Sequence, residues 1–220
     1  MIRHRWLLLP LLIALTTGLG YTVMSMPEHA GGLQKAVASK MEVSGVSNPV
    51  TAVLLNFRAY DTLLEMIVLM LALLGVWSLG ETPWRREPEP GPVLGTLAYL
   101  LVPLLILVSC YLLWVGAYAP GGAFQAGSVL GAAGVLLVLS GRRLNTALAA
   151  WPLRLALVTG AGVFLAIAVF TLLSTDRLLQ YSSDQAGFLI LIIEAAATLS
   201  IGVTLAALFL GNHPSKSGDL

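Results

Sequence analysis

Apolar residues fall into six long runs, at 6–24, 62–79, 92–115, 123–140, 153–174 and 187–210, with polar and basic residues gathered between them. A helix needs about 20 predominantly apolar residues to cross a bilayer, and each run approaches or meets that length. The alternation of apolar and polar positions that marks a β-barrel is absent, and lipid does not tolerate unpaired backbone groups. The pattern therefore predicts an all-α, polytopic membrane protein with about six transmembrane helices. Ahead of the first run, Arg3, His4 and Arg5 resemble the start of a signal peptide. A small-x-small cleavage site is missing, and Tyr21, Met24 and Met26 stand where one would lie, so an uncleaved anchor is expected.

Composition supports this picture. Of 220 residues, 57% are hydrophobic and only 10% charged, whereas a soluble domain carries about a quarter charged residues. The net charge of +1 is spread over short connections and makes no basic field for nucleic acid. Cys110 is the single cysteine, and His4, His29 and His213 are scattered, so neither a disulfide framework nor a metal site is expected, and no cofactor.

Basic residues set the expected orientation. With the N-terminus inside, Arg3, Arg5, Arg85, Arg86, Arg142, Arg143, Arg154 and Lys216 lie on the inner side, against Lys35, Lys40, Arg58 and Arg177 outside. An even number of crossings gives an N-in/C-in chain. Trp6, Trp77, Trp114 and Trp151 fall near helix ends, where amphipathic rings are favoured. The chain divides into a two-helix module at 1–80 with an outer loop at 26–60, an inner linker at 81–91 containing Pro83, Pro88 and Pro90, a four-helix domain at 92–212 and a cytoplasmic tail at 213–220. Within the outer loop, 33–43 has the composition of a short surface helix.

Charges and glycines inside the spans need reasons, because an intramembrane charge costs a few kcal/mol even on the gentlest scale. Arg58, Asp61 and Glu65 share one face if the start of the second span is helical. Thr62 and Glu65 equally fit a capping box. Glu194 lies too far into the last span to be a cap. It serves either as a buried carboxyl that locks two helices together or as a relay for protons or cations. Gly121 and Gly122 suit a tight turn, and Gly127 with Gly131 makes a small-xxx-small face for close helix packing. The second, fourth and sixth spans would begin outside, so their positive dipole ends lie beside Asp61, Glu65, Gln125, Asp184 and Glu194. These groups together predict a cation-attracting outer half-channel shared with neighbouring subunits.

Two blocks resemble a known family. The stretch 48–69, with Asn56, Phe57, Arg58, Ala59, Tyr60, Asp61, Thr62 and Glu65, resembles a motif of Mrp-type cation/proton antiporters found at the C-terminal end of their large A-type subunit and in the matching small subunit of membrane-bound hydrogenases. The block 119–134 is similar to the Pro-Gly-Gly-Gly-Phe-x-x-Gly pattern of the MnhB domain, which defines another subunit of the same antiporters, with Ala123 in place of the third glycine. The resemblance covers most of 45–210. It implies a non-enzymatic subunit of a multisubunit antiporter in the cytoplasmic (inner) membrane, working with large antiporter-like and small helical subunits, with H+ and Na+ as the transported ions. It also makes Glu65 the leading relay candidate, with Asp61 and Arg58 beside it. The alternative it implies is a membrane-arm subunit of a complex I-related redox complex of the hydrogenase type.

Other functions fit poorly. No HExxH sequence, paired intramembrane aspartates or Ser–His pair is present for an intramembrane enzyme. A self-sufficient transporter would show an inverted repeat, which unequal modules of two and four helices do not provide. The absence of an intramembrane lysine argues against the pump itself.

Overall fold

The computed structural model describes residues 5–26, 32–79, 91–141 and 151–211. The helices are α1 (Arg5–Met24), α2 (Gln34–Ala38), α3 (Pro49–Ala52), α4 (Ala59–Ser78), α5 (Pro92–Val115), α6 (Ala123–Leu139), α7 (Trp151–Thr175) and α8 (Ser183–Leu210). Among the described residues α4, α5, α7 and α8 are long and apolar enough to cross a membrane, and α1 and α6 contribute shorter apolar helices. The all-α, polytopic reading holds. Arg3, Arg85, Arg86, Arg142, Arg143, Lys216, His4, His29, His213 and most of the linker at 81–91 lie outside the described residues.

Two compact units are present, 1–36 and 37–220. The first is mainly α1, which carries Pro10 inside an otherwise continuous helix. In the second, α8 is the central element and packs along α6, α7 and α4. Its 28 residues make a helix about 42 Å long. The small residues of α6 allow a close parallel approach. A Cβ on Gly127 would lie 2.8 Å from Ile201 Cβ, one on Gly131 3.0 Å from the Gly202 carbonyl, and one on Gly134 3.2 Å from Ala206 Cβ. Association in lipid depends on such packing, because the surroundings are as apolar as the helix faces themselves.

On the other side of α8, a Cβ on Gly160 of α7 would collide with both Met66 of α4 and Ser200 of α8. Met66 and Ser200 therefore share a depth in the bundle. Ser200 Oγ donates to the Leu157 carbonyl at 2.6 Å, joining α7 to α8 where the contact is tightest. Phe164, Ile190, Ile193, Ala197 and Ile201 fill the core between these helices, and Leu73, Leu157 and Ala207 continue it toward the other end.

The expected elements differ from the observed ones at three places. The segment 49–57, expected as loop, is helical. The expected surface helix at 33–43 is split into α2 and a separate 3₁₀ turn, Met41–Val43. Helix α8 begins at Ser183, four residues before the apolar run at 187, because its polar first turn is still helical.

Gly127→Val is expected to lower the stability of the detergent-solubilised protein by about 1–3 kcal/mol through overpacking against Ile201. Gly162→Ala, where no atom lies within 4 Å of the new Cβ, is expected to cause no loss. Thermal unfolding followed by helical circular dichroism checks both.

Candidate functional site

The stretch 49–78 is one interrupted helix. Asn48 caps its start, its Oδ1 accepting from the Val50 N–H at 3.0 Å, and Pro49 occupies the first turn, where its missing N–H costs nothing. The backbone then widens into a π-turn, Val53–Phe57, and breaks at Arg58, whose φ of −130° and ψ of 35° are not helical. Thr62 Oγ1 donates to the Leu54 carbonyl at 2.6 Å and so satisfies an acceptor that the break frees. Asn56 Nδ2 donates to the Ser44 carbonyl at 2.9 Å and ties the preceding loop to the π-turn. Such π-turns recur at functional positions in helices.

The same segment holds the turn between α5 and α6. Asn48 Nδ2 donates to the carbonyls of Gly116 at 3.1 Å and Ala119 at 2.7 Å. Thr51 Oγ1 donates to the Gly116 carbonyl at 2.5 Å, and the N–H groups of Ser47 and Asn48 both reach the Ala117 carbonyl. Asn48 and Thr51 are buried. They are the residues that the sequence left out of the candidate site. Their one local signal is the Asn-Pro pair that starts a helix; their partners lie 65 to 71 positions away.

That turn places the start of α6 against Glu194. Gly122 has φ of +103°, a region that favours glycine, and a Cβ there would lie 2.7 Å from Glu194 Oε1. The carboxyl accepts the backbone N–H of Ala123. It is 2% exposed, and Oε2 has no hydrogen-bond partner among the described residues. Glu194 stands eleven residues after Ser183, about 16 Å along α8, so α6 begins well inside the bundle and not level with the start of α8. The two helices then descend side by side through Gly127, Gly131 and Gly134.

The remaining sequence candidates are placed as follows. Gln125 is exposed, with Oε1 3.9 Å from the position of a Gly122 Cβ and so close to the Glu194 site. Gly121 packs on α5, where a Cβ would lie 2.6 Å from the Leu112 carbonyl. Arg58 and Asp61 form an ion pair on the surface, with side chains 62% and 44% exposed, an arrangement that contributes about 1 kcal/mol or less. Glu65 is exposed on α4, next to Met66 and hence at the depth of Ser200. Asp184 is exposed in the first turn of α8. Glu194, Gly122 and Gln125 are thus brought together, while Arg58 and Asp61 form a separate pair on the surface. The capping box does not form: α4 starts at Ala59, its N-cap Arg58 makes no side-chain cap bond, and the Thr62 hydroxyl is committed to Leu54. Among the described residues no three or more His, Cys, Asp and Glu side chains gather in a metal-binding group.

At the Ser183 end, the loop before α8 is closed by Thr171 Oγ1, which accepts the Leu179 N–H at 2.9 Å. Tyr181 in this loop is buried, its hydroxyl lacks a hydrogen-bond partner among the described residues, and burial pushes its phenol up to about 12.

The domain family described as related to the MnhB subunit of Na+/H+ antiporter matches residues 93–211, and the MbhE family, described as the E subunit of MBH, matches residues 1–89. An uncharacterised protein of Methanocaldococcus jannaschii is 30% identical over 116 residues, 43% of this chain and 44% of that protein. The A-type subunit of the Na(+)/H(+) antiporter of Bacillus subtilis is 28% identical over 85 residues, 36% of this chain and 11% of that protein. The chain thus spans less than half the length of these curated relatives. Its fold is shared with a chain of the membrane-bound sulfane sulfur reductase, an archaeal respiratory membrane complex, at a TM-score of 0.70 and 22% identity over 96% of this chain and 98% of that one. It is shared also with a chain of the Mrp complex from Dietzia sp. DQ12-45-1b, at a TM-score of 0.66 and 23% identity, over 100% of this chain and 27% of that one.

Asn48→Ala removes the side-chain bonds to Gly116 and Ala119, leaving the Ala119 carbonyl unpaired and Gly116 with Thr51 alone, and is expected to destabilise the protein by about 1–3 kcal/mol, the cost of unpairing a buried acceptor. Thermal unfolding in detergent measures it. For Tyr181, the unfolded phenol ionises near pH 10 and the folded one near 12, so its neutral form is favoured by the fold. Its contribution is intact below pH 10 and is lost as pH rises from 10 to 12. Tyr181→Phe is expected to flatten that part of the stability–pH curve without loss of stability at neutral pH.

Proposed function

The chain belongs to the family of domains related to the MnhB subunit of Na+/H+ antiporters, and from this we propose that it is an integral subunit of a multisubunit cation/proton antiporter in the cytoplasmic membrane. It contributes to the ion pathway and to assembly and does not act alone. The observation that carries this reading is Glu65, a carboxylate exposed on α4 at the depth of Ser200, near the middle of α8. Leu64, Val68 and Leu71 on the same side of α4 are exposed as well. A carboxylate on such a face is costly against acyl chains, and a neighbouring polypeptide or a watery path compensates it. Glu194 supplies a second acidic group, placed inside the chain itself.

The relatives support the same direction. One is named as part of an antiporter, and the Mrp complex contains a chain of this fold. A second reading, a membrane subunit of a respiratory redox complex, is favoured by the match that extends over nearly the whole length of the sulfane sulfur reductase chain. A chain of this fold occurs in both kinds of assembly.

Tagged protein purified in mild detergent is expected to bring other membrane subunits with it, and the chain alone in liposomes is expected to exchange no cations for protons. Recovery as a solitary, active transporter would overturn the proposal. Companions that carry iron–sulfur or nickel centres would select the redox reading. Within the assembly, Glu65→Gln is expected to slow exchange by about tenfold or more, equivalent to roughly 1.4 kcal/mol at the limiting step, while the subunits still co-purify.

A further inference from the structure

Among the described residues Glu194 has no counter-charge inside the bundle. Helix α6 and the stretch 49–57 carry no titratable side chain, α7 carries only Arg154, and α5 carries Tyr99, Cys110 and Tyr111. All four of these groups are exposed, as is Tyr118 in the turn between α5 and α6. On α4, Tyr60 and Glu65 are exposed and Asp61 is paired with Arg58. On α8 itself the other acidic group, Asp184, is exposed in the first turn. Tyr181, just ahead of α8, is neutral at physiological pH and buried in the loop. At 2% exposure, Glu194 is also closed to a lysine or arginine from another chain. A charge on this carboxyl is compensated only by something small that enters the interface between α6 and α8.

The neighbouring oxygens decide what that is. A hard metal cation takes a shell of about six or more oxygen ligands, and cation sites in interrupted membrane helices draw on carbonyls at unwound turns and helix C-terminal ends. Here four carbonyls at the adjacent turn are committed, and Gln125 Oε1, close to the site, adds a single ligand from an exposed side chain. Leu112 accepts the Gly122 N–H, Gly116 accepts Thr51 and Asn48, Ala117 accepts Ser47 and Asn48, and Ala119 accepts Asn48. The Thr198 hydroxyl, one turn on, donates to the Glu194 backbone carbonyl at 2.8 Å. What faces the carboxyl is the N-terminal end of α6, which supplies N–H donors and no oxygen ligands for a metal cation. A proton needs one lone pair, and Oε2 offers it.

We propose that Glu194 is a proton-holding group and not a ligand of a metal cation. The carboxylate takes a proton on Oε2 to form the neutral acid, and releases it by breaking the same O–H bond. Oε1 stays anchored to the Ala123 N–H throughout. This rests on the reading of the chain as part of an ion pathway, and it names the ion that this site carries. Gly122 is the positioning residue, since only a glycine at φ +103° leaves room for Oε1.

Infrared difference spectra of the purified assembly, recorded between acidic and alkaline buffers, test it. They are expected to contain the C=O band of a protonated carboxylic acid that shifts in D2O and is missing in E194Q. Replacing choline chloride with sodium chloride at fixed pH is expected to leave that band unchanged. G122A, which presses a methyl group on Oε1, is expected to shift the band without abolishing it. The proposal is overturned if the E194Q-sensitive band follows sodium at fixed pH. Identical pH-difference spectra for E194Q and the parent, as for a carboxyl that only caps α6, also overturn it. The band belongs to this chain whether or not other subunits accompany it, so its failure is distinguishable from failure of the subunit reading.

Discussion

A helix that stops inside a bilayer leaves backbone donors and acceptors with no water to turn to, and the arrangement around Glu194 depends on how those groups are satisfied. Two interruptions meet here, one at the π-turn before α4 and one between α5 and α6. Each is closed by short polar side chains: Thr62 bridges the first, while Asn48 and Thr51 hold the second. Ser109 Oγ donates to the Ala126 carbonyl at 2.8 Å and draws α5 onto α6 just below. With the interruption secured, Gly122 can hold its unusual backbone conformation and α6 can present its first turn to a carboxyl from α8.

The two regions matched by separate families are joined by these same hydrogen bonds. Asn48 and Thr51 lie in the part matched to the MbhE family, and Gly116 and Ala119 in the part matched to the MnhB-related domain. Gly45 packs directly on Ala186 and Gly187 of α8, so contact between the regions extends along the first turns of the central helix. The acidic site is therefore a property of the joined chain, although the carboxyl and the helix end that meet it both come from the second region.

Much of this is legible in the sequence where one residue type carries the signal. Helix α5 spans the expected residues 92–115 because Pro92 suits a first turn and Gly116 follows the last one. Glu194 stands out because nothing in an apolar run explains a carboxyl. It lies four residues deeper than hydropathy alone indicates, since Ser183, Asp184 and Gln185 make a polar helical turn that hydropathy does not register. Helix α3 is hidden because it is four residues long and follows a stretch rich in Gly and Ser. The capping box is a sound local pattern defeated by a tertiary one: Thr62 reaches eight residues back to Leu54. The meeting of Gly122 with Glu194, and of Asn48 with Ala119, joins positions some 70 apart, and no short-range pattern encodes it.

The short α6 beside the long α8 has an electrical consequence. If α8 is centred on a hydrocarbon layer of about 30 Å, Glu194 stands roughly a third of the way through it from the Ser183 side. A full traverse by one elementary charge is worth about 2.3 kcal/mol per 100 mV, so an ion arriving from that side has already crossed part of the voltage drop on reaching the carboxyl. Under the proposed role of Glu194, protonation of the site would thereby be tied to the energised state of the membrane as well as to the solution on either side.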